Sequence, residues 1–171
     1  MKKEIKWWHV VLATIVVSVF GAVSTGFGKK NQRKLYEHKL KQAAWAAPAK
    51  LFGPAWAVNN YFLLKALKQL FESWSIPGKN KLIIKQAAIW LIFFSCGYVY
   101  FKKKSPILAA IWAAADAWLA TSSFANAIRS NKRLAFKYLP LLGWTGYAAS
   151  VALYQALKNP DPVLKLPQLS R

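Results

Sequence analysis

Residues 45–60 read WAAPAKLFGPAWAVNN, a stretch that carries the chain from a long basic loop into an apolar helix through two prolines and a glycine. Pro48 and Pro54 each lack a backbone donor and disfavour helix in the residue before them, so a helix can begin at Pro54 but cannot run through from upstream. Gly53 permits the turn between them. Trp45, Phe52 and Trp56 put three large rings where the chain passes from water into something apolar. Two readings of those rings stay open here: anchors of an interfacial helix start, or walls of a ligand site beneath a hinged lid.

The composition around this stretch narrows the class of protein. The 171 residues are 56% hydrophobic and 15% aromatic, yet carry a formal net charge of +20. A chain so apolar and so charged must keep the two kinds of residue apart. It does: Lys and Arg fall in bursts between apolar runs, and only 5 acidic residues occur. Nucleic-acid binding needs a basic face on a soluble fold. Here the bursts flank segments long enough to span a bilayer, where snorkelling and anionic headgroups account for them. The expected partner is therefore the lipid bilayer and no nucleic acid, and the expected location is an integral, multi-pass one. A single cysteine, Cys96, excludes an intramolecular disulfide.

The apolar runs predict an all-α membrane protein, a bundle of five transmembrane helices at about 7–27, 54–71, 82–101, 106–128 and 136–157. A lid loop at 28–51 joins the first two, a short tail at 158–171 ends the chain, and 1–171 forms one transmembrane domain. The first run is longer than a signal-peptide core and is read as a retained helix. GFGKKN at its end lacks the strand and spacing of a phosphate loop. Lys102 to Lys104 stop the third helix, Pro106 opens the fourth, and Asn159, Pro160 and Pro162 end the fifth. Lys65 and Asp116 fall near mid-span, where an unpaired charge is expensive. They pair across helices or face one wet cavity; alternatively Asp116 is protonated onto a backbone carbonyl. Gly21, Ser24, Thr25, Gly143 and Gly146 allow close helix approach, and the Gly- and Ala-rich faces of helices 3 to 5 allow a homodimer. The end carrying the lid loop, Lys102 to Lys104 and the C-terminus is slightly the more basic, a small bias toward a cytoplasmic C-terminus.

The arrangement resembles the translocator protein family, the tryptophan-rich sensory proteins or peripheral-type benzodiazepine receptors, across nearly the whole chain. The family's aromatic, prolines and Phe-Gly-Pro-x-Trp look like Trp45 through Trp56. Its Pro-x-x-x-Trp opening of helix 5, with an Asn fifteen positions after the Trp, is met by Pro140, Trp144 and Asn159. Gln86, Trp90 and the Phe93-Phe94 pair resemble its helix 3. Departures are equally specific. Ala47 stands for the first proline of the pair, Gln42-Ala43 for Lys-Pro, Asn59-Asn60 for Leu-Tyr, Leu141 for Tyr, Ala87 for Asn, and Val151-Ala152 for Leu-Asn. The pocket's polarity is accordingly expected to differ from that of its relatives.

The resemblance implies a pocket between helices, closed by the first loop, that senses, binds or transports tetrapyrroles (porphyrins) or sterol-like lipids. Trp56 and Trp144 match family tryptophans that line it. The candidate ligand contacts are Trp45, Phe52, Trp56, Asn60, Trp90, Phe94, Trp144 and Tyr147. Val151, Tyr154 and Lys158 satisfy the loose cholesterol pattern. Independently, a porphyrin offers a π face for indoles and carboxylates for the basic loop. No resident cofactor or metal is expected. Haem iron would need an axial ligand, and Cys96, the tyrosines, His9 and His38 stand in no recognisable context for one. The chain pairs no nucleophile with a base and has no metal cluster or carboxylate pair. Enzymatic chemistry would be the light-dependent tetrapyrrole breakdown attributed to the family, with Trp56 and Trp144 as first suspects. A structural module without a small-molecule ligand is the third reading.

Overall fold

The computed structural model describes residues 5–25, 35–73 and 75–170. The basic lead at 1–4, the expected end of the first span at 26–27 and the lid residues 28–34 lie outside the described residues. Among the described residues there are five long helices: α1 Trp7–Thr25, α2 Phe52–Glu72, α3 Lys79–Gly97, α4 Pro106–Ser130 and α5 Leu139–Lys158. α1 packs on α2 and α3, α2 on α5, α5 on α4, and α4 on α3, so the helices close a ring in the order 1-2-5-4-3. Three stretches, Trp7–Ser24, Lys79–Lys102 and Pro106–Ser130, are long and apolar enough to cross a membrane.

The helix ends differ from the expected ones for local reasons. Pro48 leads into a 3-10 turn, Ala49–Leu51, that hands over to α2 at Phe52. Pro54 is then the third helical residue, where a missing N–H costs nothing. α3 starts at Lys79 and not at 82, because Gly78 at φ 72° makes a left-handed turn that only glycine takes freely. It runs on into a π turn, Tyr98–Lys102. Ser105 caps α4, its hydroxyl accepting the Leu108 N–H at 3.1 Å, with Pro106 in the first turn. The expected start of the fifth helix at 136 resolves into two short turns, Lys132–Ala135 and Phe136–Tyr138, before α5 begins at Leu139. Asn131 produces the break by accepting the Leu134 N–H at 2.9 Å.

The interior has two unlike halves. Toward the α2–α3 and α4–α5 connections, Leu63, Leu70, Leu82, Ile89, Leu134 and Leu141 fill the bundle axis and are almost fully buried. Outside, Leu12, Phe20, Val23, Ile84, Leu91 and Trp118 are exposed, an apolar surface that a soluble monomer avoids. Lys65 and Asp116 do not pair. The Lys65 ammonium sits 5.3 Å from the Tyr61 ring centroid, while Asp116 is buried with one carboxyl oxygen unpartnered among the described residues.

Two contacts give direct tests of the packing. A Cβ on Gly21 would collide with the Phe93 ring, which is buried and held at 4.6 Å from the Trp56 ring. Gly21→Val is expected to cost about 1–3 kcal/mol by overpacking. The check is a lowered thermal midpoint in detergent beside Gly143→Ala, where nothing lies within 4 Å and little change is expected. At the other contact, Asp161 fastens the tail to the start of α4. One carboxyl oxygen accepts from the Ser105 hydroxyl and the Ile107 N–H, and the other from the Val163 and Leu164 N–H groups. Burial pushes the carboxyl up, but the Ser105 hydroxyl and the three N–H donors outweigh it and hold the group below its ordinary value. A lowered carboxyl stabilises the fold above its unfolded value, about 3.9, and that contribution is lost as pH falls through the folded value. The protection of the Ile107 and Val163 amides, measured against their intrinsic exchange rates, is therefore expected to fall as pH drops through the lowered folded value, and to be weaker already at neutral pH in Asp161→Asn.

Candidate functional site

The half of the bundle next to the lid is hollow. Where the other half is filled by leucine and isoleucine, Gly97 of α3, Ala109 and Ala113 of α4, and Ala148 and Ala152 of α5 line a cavity of about 310 Å³. Side chains that stop at Cβ cannot meet across the axis, so the space stays unfilled. That volume lies at the lower end of small-molecule sites. Rings supply the rest of the wall: Tyr36 from the lid, Phe52 and Trp56 from α2, Phe93 from α3, Tyr100 and Phe101 from the π turn, and Tyr147 from α5. The rings brace one another. Trp56 lies 4.6 Å from Phe93, and Phe52 meets Tyr36 edge-on at 5.3 Å. Polar character is sparse: Ser18 of α1, Cys96, Gln155, and Lys50, which is itself exposed.

The described part of the lid is tied down on α5. The Tyr147 hydroxyl accepts the Ala47 N–H and donates to the Trp45 carbonyl at 3.2 Å. The Trp45 indole N–H donates to the Ser150 hydroxyl at 3.2 Å. Asn159 mimics a strand partner, accepting the Lys41 N–H at 2.7 Å and donating to the Lys41 carbonyl at 3.1 Å. Between these ties runs a chain of side chains. The Tyr100 hydroxyl donates to Gln155 Oε1 at 2.8 Å, Gln155 Nε2 donates to Gln42 Oε1 at 2.7 Å, and Gln42 Nε2 donates to the Tyr36 carbonyl. One strap thus joins lid, α3 and α5 over the cavity.

The candidate contacts divide. Phe52, Trp56, Tyr147 and Val151 line the cavity. Trp144 does not: its ring stands against Phe52 at 5.3 Å and Tyr147 at 5.5 Å, supporting the wall without facing the hollow. Trp45 is exposed on the lid, edge-on to Tyr154 at 5.6 Å. Asn60 is buried between α1 and α3, donating to Ser18 Oγ at 3.3 Å and accepting the Trp90 indole N–H at 3.4 Å. Asn60 and Trp90 thus cross-link helices, and Phe94 lies half out of the bundle beside Phe93. Of the cholesterol-pattern residues, Tyr154 packs on the lid and Lys158 closes α5. Sequence reading missed Tyr36, Gln155 and the alanines. Val151-Ala152 and Gln42, three departures from the family pattern, were the available signal, and all three belong to the cavity or its strap.

For iron, Cys96, Tyr36, Tyr100 and Tyr147 are at the wall, whereas His9 stacks on Trp8 at 3.6 Å and His38 lies exposed in the lid turn Leu35–Lys39. Among the described residues, no three His, Cys, Asp or Glu side chains cluster to hold a metal. Compared with known proteins, the chain matches the family model described as TspO/MBR family over residues 10–157. No curated protein matches it.

Proposed function

The chain belongs to the TspO/MBR family and is a membrane protein, and from that premise we propose that all five helices cross the bilayer and that the lidded cavity binds a flat, mostly apolar ligand. Tetrapyrroles of the protoporphyrin kind or sterol-like lipids are the ligands proposed, with sensing or transport as the use. The observation that carries this reading is the cavity itself: ring-walled, alanine-floored and strapped over on one side by the lid. α2 and α5 support the five spans, since Asn59, Asn60 and Gln155 turn inward while Val58, Leu153 and Leu157 face out. Trp56 presents an indole to a π face, and Lys50 offers an ammonium to a carboxylate.

Titrating the purified protein with protoporphyrin and following tryptophan quenching tests this. Trp56→Ala is expected to weaken binding about tenfold, the worth of roughly 1.4 kcal/mol of ring contact. Trp144→Ala, which removes support and not contact, is expected to weaken it less. Maleimide labelling of Cys96, in the cavity wall, should slow when ligand is bound. Equal affinity in all three proteins and unprotected Cys96 would remove the site. A second reading, light-dependent breakdown of the bound tetrapyrrole, draws on Trp56, Tyr100 and Cys96 as oxidisable groups in the cavity lining. Illumination separates the two, because a binder quenches without consuming the ligand.

A further inference from the structure

A second, shallower groove lies beside the lid, between the turn Leu35–Lys39, the α3–α4 junction and the tail after α5. Three lysines line it, one from each: Lys39, Lys104 and Lys165. None of the three makes a hydrogen bond or ion pair with another described residue. The one acid in the groove wall, Asp161, bonds to the Ser105 hydroxyl and three backbone N–H groups and to none of the lysines, and three ammonium groups against one carboxylate leave the groove a surplus of positive charge.

The backbone sets two of these lysines apart. Lys104 at φ 56° and Lys165 at φ 54° are the only non-glycine residues with positive φ among those described, and both line this one groove. Left-handed backbone is unfavourable for a residue with a side chain, so its double occurrence points to a use. Lys102 and Lys103, the preceding two of the run, instead lie 5.3 and 5.7 Å from the Tyr98 ring centroid. The groove also sits where α3 ends, α4 begins and α5 ends, which in a membrane-crossing bundle is the level of the headgroups. Val163, Leu164 and Leu166 are exposed on either side of Lys165.

From this we infer that the groove is a site for an anionic phospholipid, its phosphate meeting the three ammonium groups and its acyl chains lying on the apolar residues of the tail. The inference rests on the chain crossing a membrane and is independent of what the cavity binds.

Native mass spectrometry of the full chain, released from detergent with added phosphatidylglycerol or phosphatidylcholine, tests it. Phosphatidylglycerol should be retained at least tenfold better. The triple variant Lys39→Gln, Lys104→Asn, Lys165→Asn should lose that preference, asparagine being a residue that tolerates left-handed backbone. A charge-matched triple at the opposite end, Lys81→Gln, Lys132→Gln, Arg133→Gln, should change retention less than twofold. Lys39→Gln alone leaves both left-handed positions untouched and should lower retention about threefold, which guards against misfolding of the triple. Equal losses in the two triples would overturn the site in favour of diffuse charge. Displacement of the lipid by an equal concentration of inorganic phosphate would overturn the lipid in favour of a free-anion site.

Discussion

Ala152→Trp is expected to abolish porphyrin binding, with a loss of affinity of at least about a hundredfold, while the bundle remains folded. Ala152 lines the cavity from α5, between Tyr147 and Gln155 along the helix, and its methyl group borders unfilled space. An indole there occupies much of the 310 Å³ that a ligand would need. Enlarging a packed residue costs about 1–3 kcal/mol through strain, but growth into a void escapes part of that cost. A hundredfold loss corresponds to about 2.7 kcal/mol, less than the whole binding energy of a micromolar ligand, so the figure is a lower bound. Leu153→Trp is the matched control, since Leu153 is exposed on the outer face of the same helix. The added indole confuses tryptophan quenching, so the readout is the absorbance shift of the porphyrin. Near-native affinity in Ala152→Trp would place the ligand elsewhere.

How far the sequence revealed this site depends on what one letter can encode. Pro48 marks the break ahead of α2 and Pro54 falls in its first turn, both legible because proline acts through the backbone, whatever surrounds it. Long apolar runs likewise reveal helices. Their ends are harder: Lys79 to Lys81 read as loop by charge, yet the left-handed turn at Gly78 starts α3 before them. Aromatic residues announce themselves, but facing inward is a matter of helix rotation. On α5 the cavity face runs through Tyr147, Ala148, Val151, Ala152 and Gln155 at helical spacing; Trp144 sits one turn earlier on the same stripe, yet is not among the residues that line the hollow, which spacing alone does not reveal. The hollow was the least legible part. Ala109, Ala113 and Ala152 would look the same in a tight helix crossing, and only their meeting across one axis makes a cavity. Gln155 was equally silent, because a glutamine near a helix end is ordinarily a surface residue.

That silent residue carries the second large effect. Gln155→Leu keeps the volume of the side chain and removes both of its bonds, the one received from Tyr100 and the one given to Gln42. The Tyr100 hydroxyl and the Gln42 carbonyl then lose Gln155 under the lid and keep only the hydrogen-bond reach they have to one another, and each bond lost outright costs about 1–3 kcal/mol where water cannot substitute. Much of that cost can be relieved by letting the lid lift until Gln42 reaches water. The lid is consequently expected to open more often, and ligand dissociation to quicken about 10–100-fold while association changes little. Gln155→Glu separates the two bonds, since a carboxylate still accepts from Tyr100 but cannot donate to Gln42, and an intermediate rate is expected. Stopped-flow release of porphyrin, with amide exchange at 41–47 as the measure of lid opening, reads both effects. Faster exchange with unchanged release would mean that the lid covers the cavity without retaining what it holds, and the ring-lined wall alone would then account for residence.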